Sequence, residues 1–179
     1  MKFGKTNLSK IGSACLFVNG IILLFYALLV PAFVRGVHWL ITLAAILFLV
    51  AIPAIYNSIR RVKRVKRVAA GVVAALFAFG MVAIIVSDLL FAVSFLTRFS
   101  HDLTYVLGNA SFVIGVLITG LVALKGQFYK WVAYLSIVTG IVGLATYFPQ
   151  VSGPLSTFSL LLLGLWSLAV GYNIRKLGK

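Results

Sequence analysis

Six long apolar stretches divide this chain, and almost no charge falls inside them. The breaks lie at Arg35–Trp39, Arg60–Arg67, Arg98–Asp102, Leu124–Trp131 and Pro149–Pro154. Runs of about 20 apolar residues match the hydrocarbon thickness of a bilayer. Inside lipid every backbone polar group needs a partner, which leaves only helices and closed barrels. Barrel strands read as roughly ten-residue alternating segments, unlike these uniform runs. The expected fold is therefore all-α: a polytopic integral membrane protein with six transmembrane helices. The spans are expected near 13–34, 38–57, 69–97, 103–124, 131–149 and 154–174, forming one domain over residues 1–179.

The Lys and Arg residues are divided unequally by this ladder. If the stretches cross alternately, one face carries Lys2, Lys5, Lys10, the six charges of Arg60–Arg67, Lys125, Lys130, Arg175, Lys176 and Lys179. The other has only Arg35 and Arg98. Such asymmetry orients a membrane protein during insertion, so both termini are expected to be cytoplasmic. A prokaryotic plasma membrane is the expected location. The three lysines of Met1–Lys10 ahead of an apolar run have the polarity of a signal sequence, but the run is too long and lacks a clear cleavage site. An uncleaved first span is expected.

Composition narrows the function further. With 63% hydrophobic residues and a mean hydropathy of +1.15, the chain lies well beyond the roughly half-apolar make-up of soluble domains. Short connections leave no room among these residues for a soluble catalytic or nucleic-acid-binding module. The formal charge of +14 is therefore read against anionic lipid headgroups, not nucleic acid. Cys15 is the only cysteine, so neither an intrachain disulfide nor a cysteine metal cluster can form.

Aromatic residues mark the expected boundaries, with Trp39, Tyr105 and Tyr147 toward the outer side and Tyr56, Tyr129, Trp131 and Tyr172 toward the inner. Tyr26, Tyr134 and Trp166 fall deeper and are expected to pack between helices. Small residues mark close helix approaches: Ala70, Ala74 and Ala78, with Gly71, Ala75 and Ala83 alongside, and on the fifth span Ser136 with Gly140 and Thr139 with Gly143. These faces fit packing within the bundle or a homo-oligomer. Pro31, Pro53, Pro149 and Pro154 are expected to end or bend helices. No pair of mid-span Gly/Pro breaks, the pattern that builds many transporter sites, is present.

Chemistry is confined to few residues. There is no Glu, and the two Asp are Asp88 and Asp102. Asp102 beside His101 suits the cap or first turn of the fourth span. Asp88 lies ten residues before Arg98, about 15 Å along a continuous helix. An ionised carboxylate at that depth costs roughly 2.5 kcal/mol or more, and makes a functional site the default hypothesis. Ser87 and Ser94 neighbour it, and Asn109 and Ser111 on the fourth span lie at a similar depth. A polar cluster of Asp88, Asn109 and Ser111 is expected, with Arg98, His101 or Arg35 as counter-charge. His38 and His101 show no metal-ligand spacing, and neither a metal nor a cofactor is implied. No nucleophile–base pair, phosphate-binding loop or HExxH occurs, which argues against an enzyme.

Arg60, Arg61, Lys63, Arg64, Lys66 and Arg67 form a basic run of the type that binds anionic lipid on the cytoplasmic face. The partners implied are thus the bilayer and its anionic headgroups.

Leu107-Gly-Asn-Ala-Ser-Phe-Val-Ile-Gly, the stretch from Lys125-Gly-Gln-Phe-Tyr-Lys-Trp131 to Gly143, and the closing Leu165-Trp-Ser-Leu-Ala-Val-Gly171 resemble the DUF4386 group of uncharacterised six-span prokaryotic membrane proteins. The resemblance covers the C-terminal half and implies a fold, without residue roles. Two functions stay open. One is a small transporter or channel-like protein with its polar site in the outer half of helices 3 and 4. The other is a non-catalytic scaffold, lipid-binding protein or partner subunit.

Overall fold

The structure, a computed structural model, describes residues 5–29, 38–60, 67–93, 98–125, 128–148 and 152–177. Six helices follow one another: α1 (Lys5–Leu29), α2 (His38–Arg60), α3 (Arg67–Ala92), α4 (Arg98–Ala123), α5 (Lys130–Ala145) and α6 (Ser152–Leu177). No strand occurs among the described residues. Five helices are long and apolar enough to cross a membrane; α5, with 16 residues, is shorter. The architecture is all-α and that of a multi-pass membrane protein.

Several boundaries move from their sequence expectation for identifiable reasons. Pro53 does not end α2: the helix runs on to Arg60, and the proline ring is exposed on its outer side. Pro154 lies inside α6, but in the first turn, where its missing N–H would have had no partner anyway. The third helix ends at Ala92 and the fourth begins at Arg98. His101 and Asp102 therefore belong to the opening turns of α4, not to a loop. At the end of α5, Thr146 tightens the chain through a hydroxyl bond to the Gly143 carbonyl of 2.7 Å, and the backbone closes with turns at Tyr147 and Phe148.

Each helix packs against its neighbours in sequence, and α6 returns to α1, so the six close into a ring. Aromatic side chains fill its centre. Phe48 of α2 lies edge-on to Phe77 of α3 at 5.1 Å and to Phe112 of α4 at 4.9 Å, and stacks on Trp166 of α6 at 5.9 Å. Trp166 is fully buried, and its indole N–H donates to Ser136 Oγ of α5 at 2.7 Å. Large apolar side chains such as Phe25, Phe79 and Ile141 point outward, more than half exposed. That is costly in water and favourable against lipid. Tyr134, expected between helices, belongs to this outward set at 57% exposed.

At two places, helices approach closely with two glycines facing each other. A Cβ on Gly80 of α3 would lie 2.7 Å from the Gly108 carbonyl oxygen of α4, and one on Gly20 of α1 would lie 2.8 Å from that of Gly164 in α6. Neither pair belongs to the small-residue stripes singled out above. Of those, Ala70, Ser136, Thr139, Gly140 and Gly143 are buried within the ring, while Gly71 faces open space.

Candidate functional site

The end of the ring formed by the close of α3 and the start of α4 holds the chain's only two acidic side chains. Asp88 lies four residues from the end of α3, about 6 Å along the axis and not the roughly 15 Å that a helix continuous to Arg98 would give. The shorter helix brings the carboxylate opposite the first turns of α4. Its Oδ1 is 3.2 Å from His101 Nε2, and its Oδ2 accepts a 2.7 Å bond from the Thr42 hydroxyl of α2. The other imidazole nitrogen, Nδ1, is 3.1 Å from Asp102 Oδ1. Ionised carboxylates only accept hydrogen bonds, so an imidazole carrying both ring protons satisfies both contacts at once. His101 and Asp88 are about one-fifth and one-sixth exposed, whereas Asp102 is 64% exposed at the rim. The acid burial thus deepens from Asp102 to Asp88, with the imidazole between them.

Surrounding elements hold this arrangement. Ser87, fully buried, donates to the His101 carbonyl at 3.1 Å and ties α3 to α4. The Phe91 ring centroid lies 4.5 Å from that of the imidazole, and the Tyr105 ring centroid 6.0 Å. The Gly80–Gly108 contact below sets the helix spacing that these bonds need.

Two cavities lie at this end of the ring, and one of them borders the site. The first, about 520 Å³, is lined by Asp88, His101, Asp102 and Thr42 together with the rings of Trp39 and Phe91. The second, about 290 Å³, lies deeper and is bordered by Asn19, Asn109, Thr146 and Ser159. Tyr26, Ile41 and Tyr105 line both, so the two cavities adjoin there. Phe48 and Phe112 of the central aromatic cluster floor the second cavity.

The residues named from sequence separate accordingly. Asp88 and His101 meet; Ser87 supports them from behind; Asn109 and Ser111 do not join them. Residues two apart on a helix point nearly opposite ways, so Asn109 and Ser111 could not both face Asp88. Asn109 borders the deeper cavity, and the Tyr147 hydroxyl near it donates to the Val106 carbonyl at 3.4 Å. Ser111 lines neither cavity. Asp102 bonds His101 in place of the expected cap. The side chains of Arg98 and His38, and all of Arg35 and Ser94, lie outside the described residues. So do Arg61, Lys63, Arg64 and Lys66; Arg60 and Arg67 are exposed at the opposite end of the bundle.

Thr42 was not singled out from sequence, although a signal existed. It is the only hydroxyl between Trp39 and Tyr56 on an otherwise apolar helix, close to the same end as Asp88. No family model, curated protein or solved structure matches the chain.

Proposed function

We propose that this is a small transporter or channel-like membrane protein whose solute site is the cavity around Asp88. The observation that carries this reading is a carboxylate near the end of an apolar helix, one-sixth exposed and bordering a cavity of about 520 Å³. A carboxylate that borders open space beside aromatic walls can meet a solute directly, as a binding site requires. Termini on the cytoplasmic side, an outward-facing cavity and a prokaryotic plasma membrane complete the proposal, supported by the Lys/Arg asymmetry. The basic run Arg60–Arg67 would lie against anionic headgroups, and self-association through outward helix faces is compatible with the ring. Transport would require the aromatic cluster of Phe48, Phe77, Phe112 and Trp166 to part, because it closes the ring beneath both cavities. That closure favours the second reading, a non-catalytic scaffold, lipid-binding protein or partner subunit with a blind pocket.

Thiol labelling tests the site. In a Cys15→Ser background, Asp88→Cys is expected to react with a membrane-impermeant reagent applied from outside, as a Val93→Cys control at an exposed position should. Protection at position 88 with reaction at 93 would refute the accessible site. Flux of candidate solutes in proteoliposomes then separates transport from a blind pocket, and Asp88→Asn should abolish either activity without loss of fold.

A further inference from the structure

We propose that the cavity at Asp88 takes a small lipophilic organic cation, which displaces the protonated His101 side chain from the Asp88 carboxylate. The inference rests on the reading that this cavity is accessible, and it names the chemistry of the occupant.

Charge provides the first argument. The chain has sixteen Lys and Arg and only two acidic side chains, yet both acids line this one cavity. Among the described residues no Lys or Arg lines it. In so basic a protein, an anion would find better partners almost anywhere else. The wall chemistry provides the second argument. Trp39, Phe91, Tyr26 and Tyr105 surround the carboxylates. Aromatic faces attract cations, and rings grouped about a carboxylate are suited to quaternary and protonated amines. A small hydrated metal ion would instead want several oxygen ligands and little aromatic surface.

His101 already occupies the position such a cation would need, with Nε2 3.2 Å from Asp88 and Nδ1 3.1 Å from Asp102. An imidazole carrying both ring protons is an internal counter-ion here, and losing one proton neutralises it. The groups facing it are Tyr26 from α1, Thr42 from α2, Asp88 from α3, and Asp102 and Tyr105 from α4. Of these side chains, histidine is the type whose ordinary titration range spans neutral pH. Cation binding and proton release should therefore be linked: the organic cation enters as the imidazolium proton leaves, and the charge at the site is conserved. A transporter built this way would exchange a cation for a proton.

The test uses the full chain in detergent, with three probes of similar size: benzyltrimethylammonium, neopentylbenzene and benzenesulfonate. Equilibrium dialysis is run at pH about 5.5 and about 8, on either side of the ordinary histidine range. The cation is expected to bind about tenfold or more tighter than the other two. Its affinity should rise with pH, and linkage to one proton caps the rise at about tenfold per unit. Asp88→Asn should erase both the preference and the pH dependence. If that variant does not fold, Asp102→Asn, at an exposed carboxylate, must weaken the cation and leave the neutral probe unchanged. Equal binding of cation and neutral probe, no binding of any probe, or no effect of Asp102→Asn overturns the organic-cation assignment. Labelling of Asp88→Cys would in each case leave the accessible site standing, while its protection would remove the site itself.

Discussion

The seam between α1 and α6 and the junction of α3 with α4 both place polar side chains inside apolar helices, yet they differ in what those side chains bind. At the seam, Ser13 donates to the Gly171 carbonyl at 2.8 Å. Ser167 Oγ lies 3.1 Å from the Leu16 carbonyl and 3.0 Å from Asn19 Oδ1, while Asn19 donates to the Ala44 carbonyl at 2.6 Å. All three side chains are buried. Their acceptors are mostly main-chain carbonyls, which neither titrate nor move away without unwinding a helix. At the α3–α4 junction the partners are side chains: a carboxylate, an imidazole, a hydroxyl and a second carboxylate bordering a cavity. Such partners can exchange protons and be replaced by a solute. In an apolar span, the kind of partner separates an adhesive polar group from a working one; the residue type alone does not.

The contrast can be broken most forcefully at the centre that both regions share. Trp166→Ala removes a fully buried indole touching three phenylalanines and should cost about 3–5 kcal/mol. Denaturant titration in detergent would register it, and a change below about 1 kcal/mol would mean the aromatic cluster is not what closes the ring. Next comes Gly80→Val, whose branched side chain would meet the Gly108 backbone. It should cost about 1–3 kcal/mol. It should also spread α3 from α4, so reactivity at position 88 should change along with stability. Unaltered reactivity would show that the site does not depend on that helix contact.

The smallest effects sharpen the comparison most. Ser167→Ala should lower stability by only about 0.6 kcal/mol, the average for a hydrogen bond between helices in membranes. It should leave labelling at position 88 untouched. Thr42→Val keeps the shape but removes the hydroxyl that bonds Asp88, so it should alter solute binding at nearly constant stability. If the two variants behaved alike in both assays, the distinction between seam and site would collapse.

Helix count and order were legible because hydropathy is a local sum over about 20 residues. Asp88 was legible too, since a lone acid in an apolar run is costly wherever the helix turns. Its depth was not. The run 69–97 is apolar to its end, yet α3 stops at Ala92, and the five-residue difference carries Asp88 from mid-leaflet to the helix end. Nor was the pairing of Gly80 with Gly108 visible, because seven glycines on α3, α4 and α5 offered many equivalent combinations.

The sequence by itself determined an all-α, multi-pass architecture, and singled out Asp88 and His101 as side chains that must be accommodated. Only the tertiary structure decided that these two meet, that Thr42 of α2 joins them, and that Asn109 borders the adjoining cavity instead. The physical reason lies in rotation about helix axes. Each residue turns a helix by about 100°, so the direction a side chain faces depends on how all six helices settle against one another. Hydropathy this uniform leaves that angle unmarked, and the packing of glycine pairs and aromatic rings at the centre of the ring fixes it.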